Sequence, residues 1–216
     1  MFSFFSRQKV DIQSVTIPDF GWANTRKNNT IIEWINPESS IAVSVNFFDL
    51  PPDVPTIDNV AKLRQFYRNS ISAVNGGLIE VNLGEQRGKT FIKTIFKLQP
   101  QQTKGVTYLA SLTFPFKTCS FVLKIQAIET AVTGMREAFI ANKLLAAGQS
   151  DLLSDWAADP YDNTFTAGML MNKAEELEYD ALFPDHPLTR ARQLISQIEK
   201  EIQWRRETAR LPLFDQ

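Results

Sequence analysis

The sequence contains few of the residues that build disulfide-bonded or metal-bound frameworks. It has one cysteine, Cys119, and one histidine, His186, in 216 residues. A single cysteine excludes an intramolecular disulfide framework and is typical of a reducing compartment, so we expect a cytoplasmic location. Structural metal sites usually combine several His or Cys ligands at close spacing. We therefore expect no metal, and no motif predicts a cofactor.

Long apolar runs and an excess of one charge are also absent. No run reaches the roughly 18 apolar residues of a membrane-spanning helix, and the apolar start is shorter than the roughly 7 to 15 residues of a secretory signal. Lys and Arg together number 23 and Asp and Glu 24, for a formal net charge of -1. We expect no transmembrane segment, no secretory signal and no nucleic-acid partner.

The common catalytic motifs are missing as well. A Cys-His nucleophile pair would need Cys119 and His186, but Cys119 lies beside apolar residues at the start of a predicted strand, which is typical of a buried, unreactive thiol. The stretch from Gly84 to Thr90 ends in Gly-Lys-Thr without the spacing of a phosphate-binding loop, and no Gly-x-Ser-x-Gly elbow occurs. These absences favour a protein that is not an enzyme.

Alternating apolar residues predict a series of short strands. The alternation is clearest at residues 106–114 and 121–127, on either side of a turn that contains Pro115. Further strands are predicted at residues 10–17, 31–35, 41–47, 78–83 and 89–98. Because short turns link consecutive strands, the strands should pair antiparallel. The predicted fold class is α+β, an antiparallel sheet of about six to seven strands with packed helices.

Two helices are predicted in the same region. The first has Thr56 as its N-cap and a left-handed stop near Asn75. The second follows the last strand, and its apolar face should pack on the sheet. That face consists of Ile128, Val132, Met135 and Phe139. The polar stretch 24–30 is predicted to be a loop.

The pattern changes after Gly148, where an acidic stretch precedes a basic helix. We divide the chain into an N-terminal tail at 1–9, an α+β domain at 10–148 and a helical C-terminal extension at 149–216. The helix begins at Pro187, a favoured first helical position, and has one apolar seam. The seam consists of Leu188, Ala191, Ile195, Ile198 and Ile202.

Two apolar features are candidate surfaces for a protein partner. One is the seam of the C-terminal helix, which is too short for an independent coiled coil and must be covered by its own domain, a second copy or another protein. The other is the N-terminal tail with Phe2, Phe4 and Phe5, whose simpler alternative is packing on its own domain. A homo-oligomer closed by the C-terminal helices is therefore one alternative function.

The acidic stretch contains the candidate residues for an enzyme. A metal-dependent hydrolase would use Asp159, Asp162, Asp180, Asp185 and His186. No second His or Cys lies nearby, and acidic residues are also common on solvated surfaces. The simpler role of His186 and Asp185 is to cap the helix that begins at Pro187. We also expect the acidic stretch and the basic helix to neutralise each other.

Several segments together resemble one known superfamily. These are the opening from Ile17 to Trp22, the hairpin from Glu33 to Val45, the Pro-rich lead into a helix near Thr56 and the turn from Gly84 to Gly88. They resemble the PsbP-like and Mog-like proteins over about residues 8–147. The stretch from 159 to 192 also resembles a helical tail on uncharacterised bacterial proteins, which implies no activity.

The resemblance implies a binding scaffold and not an enzyme. Members of the superfamily include extrinsic photosystem subunits, a Ran-binding nuclear transport factor and bacterial chaperone-adaptors of secreted effectors. They share a fold and not a set of functional residues, so no site transfers to this chain. Our leading hypothesis is a bacterial protein-binding module, such as a chaperone, an adaptor or an immunity-type protein linked to a secretion system.

Overall fold

The computed structural model describes residues 9–99, 105–130, 133–148 and 155–214. Its strands are β1 (Val15–Thr16), β2 (Ala23–Lys27), β3 (Ile31–Ile35), β4 (Ile41–Phe48), β5 (Gly77–Gln86), β6 (Lys89–Leu98), β7 (Thr107–Pro115), β8 (Ser120–Ile128), β9 (Ala157–Ala158), β10 (Met171–Asn172) and β11 (Gln203–Trp204). The α-helices are α1 (Val60–Ser72), α2 (Met135–Ala146) and α3 (Pro187–Glu201). Short 3-10 helices span Ile12–Ser14, Lys173–Glu175, Leu177–Leu182 and Arg206–Arg210.

Seven strands form one antiparallel sheet in the order β2-β3-β4-β8-β7-β6-β5. The predicted α+β fold class is therefore confirmed. The hairpins were also predicted from the sequence. One of them joins β5 to β6 through Arg87 and Gly88, whose φ angles are 52° and 71°. Left-handed φ angles at both turn residues are typical of a two-residue hairpin, because the twist of such a turn matches the twist of the flanking strands.

Helix α3 packs on β7 and β8 and closes the main core. All five seam residues, from Leu188 to Ile202, are buried against the sheet. The aromatic ring of Trp204 in β11 packs on Phe114 and Phe121 just beyond the helix. Strand β11 also pairs with β1, so the two ends of the described chain meet at this core. The division of the chain at Gly148 stays a prediction.

Helix α1 packs on β5 and forms a smaller core on the opposite face of the sheet. Leu63 is its fully buried side chain, and Val54 and Phe214 fill the space between the helix and the strands. The predicted N-cap was wrong by three residues, because Asn59 accepts the hydrogen bond from Lys62 N at 3.0 Å. Thr56 instead organises the preceding turn by accepting from Asp58 N.

Helix α2 differs most from its prediction. It begins at Met135, and both Met135 and Phe139 are more than half exposed, at 61% and 56%. The helix makes its main packing contacts with the 3-10 helix Lys173–Glu175 rather than with the sheet. Its buried residues are Ile140, which contacts apolar groups, and Arg136, whose guanidinium enters a cluster of carbonyls and carboxylates. The apolar periodicity of the sequence therefore predicted the wrong face of α2 to be buried.

Two further local predictions were wrong. The polar stretch 24–30, predicted to be a loop, contains the edge strand β2, whose five residues are all exposed. The predicted strand at 10–17 is a strand only at Val15–Thr16, and the 3-10 helix Ile12–Ser14 precedes it because the Asp11 carboxylate accepts from Gln13 N at 2.8 Å and caps that helix. In both segments side-chain hydrogen bonding or strand pairing overrides the apolar pattern.

No helix in the described ranges is long and apolar enough to cross a membrane.

Candidate functional site

A buried ionic cluster surrounds Glu175 at one end of the sheet. Lys97 Nζ donates to Glu175 Oε2 at 2.6 Å, and the Tyr108 hydroxyl donates to Oε1 at 3.1 Å. The backbone N–H of Asn172 adds a third hydrogen bond at 2.8 Å. All these donors converge on one carboxylate that is about 1% exposed. The cluster fixes the 3-10 helix against β6 and β7 and leaves little room for a substrate.

A second ionic cluster surrounds Asp180. Arg136 and Arg192 each donate to Asp180 Oδ1 at 2.8 Å. Arg136 also donates to Thr189 Oγ1 at 3.0 Å and to the carbonyl of Glu176 at 3.1 Å. Asp180 thus ties α2 to α3, and its single negative charge offsets part of the positive charge of the two guanidinium groups. The pair with Arg192 is one contact of the expected kind between the acidic stretch and the basic helix.

The single histidine caps α3, as predicted. His186 Nδ1 accepts from Leu188 N at 3.2 Å, and the imidazole packs edge-on against the Tyr108 ring. The pKa of His186 is lowered to about 4, mainly by burial and also by the positive charge of Arg136. The imidazole is therefore neutral at pH 7, as an N-cap acceptor must be. Asp185 points to solvent and is exposed.

Asp159 and Asp162 lie in a separate cluster on α1. Arg68 Nη2 and Nε donate to the two oxygens of Asp159 at 2.7 and 3.0 Å, which is a bidentate ion pair. Arg68 Nη1 reaches Asp162 Oδ2 at 3.3 Å. The hydrogen bond to Asp159 raises the pKa of Arg68. Both aspartates therefore attach the segment after residue 155 to α1.

The five candidate residues of the hydrolase hypothesis are thus not assembled into one site. Asp159 and Asp162 bind Arg68, Asp180 binds two other arginines, and His186 caps a helix. In the described part of the chain, no three His, Cys, Asp or Glu side chains are grouped to hold a metal ion. The positions of Asp159, Asp162, Asp180 and His186 give them structural roles, whereas Asp185 is exposed.

The thiol of Cys119 lies in the core, at 3% exposure. Burial raises its pKa to about 11, with a further contribution from Asp49. At neutral pH the thiol is protonated, and a protonated thiol is a weak nucleophile. The side chain acts as a small apolar group between β7 and β8.

The two sequence-predicted partner surfaces have different outcomes. The seam residues Leu188, Ala191, Ile195, Ile198 and Ile202 are each 0% exposed. The sheet covers them, which was one of the three covers considered for the seam. Phe2, Phe4 and Phe5 lie outside the described residues. The seam is therefore not a free surface, and the role of the aromatic tail stays a prediction.

A different surface remains open on the sheet. On β3, β4, β7 and β8, alternate side chains point away from α3, and most of them are partly exposed. We call this surface the open face. It consists of Ile31, Glu33, Ile35, Ala42, Ser44, Asn46, Leu109, Ser111, Val122, Lys124 and Gln126. It lies beside α1, which packs at the β5 end of the same side of the sheet.

The strand register arranges the open face in rows that cross the sheet. The central row is polar and runs through Arg26, Glu33, Ser44, Lys124, Ser111 and Thr94. One flanking row contains Ile31, Asn46 and Val122, and the other contains Ile35, Ala42, Gln126 and Leu109. Adjacent rows are about 7 Å apart, because they are two residues apart along each strand. The face is therefore a polar belt between two more apolar rows.

Sequence reasoning missed this face. The signal was present in the alternate positions of the strands, where Glu33, Ser44 and Lys124 interrupt apolar runs. The alternation shows that each strand has a less apolar side. Only the register shows that these polar residues line up in one row.

Comparisons with known proteins find no matching family model and no matching curated protein. Among solved structures, the chain is similar to the 1.9 Å crystal structure of the Saccharomyces cerevisiae Ran-binding protein Mog1p, at 10% sequence identity. The match covers 88% of this chain and 90% of that one, with a TM-score of 0.47. The PsbP-like and Mog-like assignment stays a prediction beyond the α+β fold class.

Proposed function

We propose that this chain is a non-enzymatic protein-binding module, of the chaperone, adaptor or immunity type, that holds its partner on the open face. The observation that carries the proposal is the open face itself. An antiparallel sheet can leave one face to solvent, and the side chains on that face are then mostly polar. Here α3 covers one face, α1 packs at one end of the other, and partly exposed apolar side chains including Ile31, Ile35 and Leu109 remain beyond it.

The size of the open face indicates how a partner would be bound. The open face spans four strands about 4.8 Å apart, with five residues per strand and a rise of about 3.4 Å per residue. Its area is therefore on the order of 300 Å². A standard interface uses about 800 Å² from each partner. A stable partner must therefore extend beyond the open face. The exposed side chains of Phe48 and Leu50, at 45% and 59%, continue it at one end and add apolar area.

The remaining parts of the proposal rest on other observations. A cytoplasmic location is proposed from the single, buried cysteine. A bacterial source and a link to a secretion system are proposed from the sequence resemblance. The absence of a catalytic role is proposed because the candidate acids are held by arginines that they neutralise.

Site-specific photo-crosslinking in native cells tests the proposal. A photoreactive amino acid is placed at Gln126, on the open face, or at Gln193, an exposed glutamine on the outer side of α3. We expect one discrete heterologous adduct from the Gln126 position and none from the Gln193 position. The variant Leu109→Arg, which places a charge in a flanking row, should abolish the adduct while the far-ultraviolet circular dichroism is unchanged.

Three results would contradict the proposal. Adducts from Gln193 alone would place the binding surface on the helical side. An adduct whose mass is twice that of the chain would indicate the homo-oligomer instead. A complete lack of adducts from Gln126, with efficient photoactivation, would show that the open face is only a solvated surface.

A further inference from the structure

We infer that the partner presents an acidic side chain to Lys124, flanked on both sides by apolar side chains about 7 Å away. This inference rests on the proposed function and specifies the chemistry of the partner. The central feature is Lys124, which lies on β8 in the middle of the polar belt.

Lys124 differs from the other cations that are held within the fold. Lys97 pairs with Glu175, Arg68 with Asp159 and Arg136 with Asp180. Lys124 is half-buried, and among the described residues it forms neither an ion pair nor a hydrogen bond. The fold therefore leaves a partly buried lysine at the centre of an open surface without an ion pair to the described residues.

The groups beside Lys124 complement an anion. Ser44 and Ser111 lie directly opposite Lys124 on the two neighbouring strands. Ser44 Oγ accepts from Asn46 Nδ2 at 2.9 Å, so its own hydrogen is available to donate. A carboxylate above Lys124 would meet an ammonium and a hydroxyl donor within the same row.

The one acidic residue of the belt does not neutralise Lys124. Glu33 lies two strands away, at a separation of about 10 Å across the sheet. Its carboxylate accepts from Thr25 Oγ1 at 2.9 Å, and Arg26 lies opposite it on β2. The belt contains two cations and one anion, and the excess positive charge is at Lys124.

Covering Lys124 with a purely apolar surface would remove water from the ammonium without replacing its hydrogen bonds. That cost is large for a charged group and is offset only by an opposite charge with good geometry. An apolar partner is therefore disfavoured at the centre of the face, whereas an acidic residue is favoured there. The rows on either side, with Ile31, Val122, Ile35 and Leu109, favour apolar side chains.

The row spacing predicts a sequence pattern in the partner. An extended segment that runs along the strands places residues i-2, i and i+2 about 7 Å apart, whereas a helix places i-4, i and i+4 about 6 Å apart. The bound segment should therefore read apolar, acidic, apolar with a spacing of two or of four residues.

Panning of random 16-residue displayed peptides against the purified full chain tests this inference. We expect selected peptides with a central Asp or Glu between apolar residues. Their affinity should fall about tenfold or more for Lys124→Gln, because a charge-assisted contact is lost. Lys124→Glu should select Lys or Arg at the same position. Lys200→Gln removes an equal charge from the exposed side of α3 and should leave binding unchanged.

The variant Leu109→Arg distinguishes the inference from the proposed function. Peptides that lose binding to Leu109→Arg but contain no acidic preference, or that bind Lys124→Gln equally well, would overturn the inference alone. A panning that yields no peptides sensitive to Leu109→Arg would overturn both. Unchanged melting temperatures of all variants would show that the comparison reports binding and not unfolding.

Discussion

Lys97 and Glu175 form a 2.6 Å ion pair that is almost completely buried, and Glu175 belongs to the segment that the sequence predicts as an extension. The pair connects β6 to the 3-10 helix Lys173–Glu175. Because Tyr108 also donates to this carboxylate, Glu175 joins the C-terminal part of the chain to β6 and β7, and the backbone N–H of Asn172 adds a third hydrogen bond from within the C-terminal part. Desolvation by burial and the neighbouring Glu175 charge raise the pKa of Tyr108 well above its ordinary value.

Removing Lys97 should destabilise the protein strongly. Lys97→Ala leaves Glu175 as a buried carboxylate without its cation, and breaking a buried pair in this way costs about 3–5 kcal/mol. The free energy of unfolding from urea denaturation measures the loss. Lys93→Ala is the matched control, since Lys93 pairs with Glu80 at 3.4 Å with both side chains about one-fifth exposed, and it should cost less than about 1 kcal/mol. Equal losses for the two variants would contradict this account.

Asp159 should matter more for stability than Asp162, although both bind Arg68. Asp159→Asn removes a bidentate contact from a carboxylate that is 3% exposed, and we expect a loss of about 2–3 kcal/mol. Asp162 binds the same arginine at 3.3 Å from a more exposed position, so Asp162→Asn should have a clearly smaller effect. Thermal unfolding of the two variants compares them directly. A larger effect of Asp162→Asn would show that the geometry of the cluster is wrong.

Stability should fall as the pH is lowered through the range in which His186 titrates. The folded-state pKa of about 4 lies below the ordinary value of 6.5, so the unfolded chain binds a proton first. The stability that neutral His186 contributes is fully present above about pH 6.5 and is lost progressively as the pH falls towards 4. The total loss is at most about 3 kcal/mol. His186→Asn retains an N-cap acceptor but does not titrate. The difference in unfolding free energy between wild type and variant should therefore change between pH 7 and 5.

A pH-independent difference between wild type and His186→Asn would contradict this assignment. The comparison removes the contribution of the carboxylates, which titrate in both proteins. One of these carboxylates is Glu137, whose pKa is raised by burial in both proteins.

Cys119 should resist alkylation in the folded protein. Burial raises its pKa to about 11, and the thiolate is the reactive form. We expect no labelling by iodoacetamide at pH 7.5 and complete labelling at one site in urea, followed by intact-mass spectrometry. Rapid labelling of the native protein would show that the strand end at Cys119 opens readily, in which case the rate would report local unfolding.

The sequence predicted elements most reliably where one residue pattern dominates. Strands β4, β7 and β8 have long apolar alternation, and helix α3 has Pro187 at its start and an apolar residue at every third or fourth position. Strand β2 could not be predicted in this way, because an exposed edge strand needs no apolar side and is held by pairing with β3.

The candidate site could be predicted only in part. The five acidic and histidine residues singled out in the sequence do not form one site, because Arg68, Arg136 and Arg192 pair with three of the carboxylates. The sequence alone does not show whether a carboxylate belongs to a salt bridge or to an active site. The distinction depends on which cation lies within hydrogen-bonding distance, and the chain separation in these pairs reaches 94 residues.

By itself, the sequence determined the α+β class, the antiparallel hairpins, the helix that begins at Pro187 and the inert character of Cys119. Each follows from local periodicity, turn chemistry or the neighbours of one residue. Only the tertiary structure decided that the sheet covers the apolar seam of α3, that Arg136 enters the protein while Phe139 faces solvent, and that Lys124 lies within a polar row without an ion pair to the described residues. These depend on strand order and register, which bring distant residues together and which local patterns do not specify.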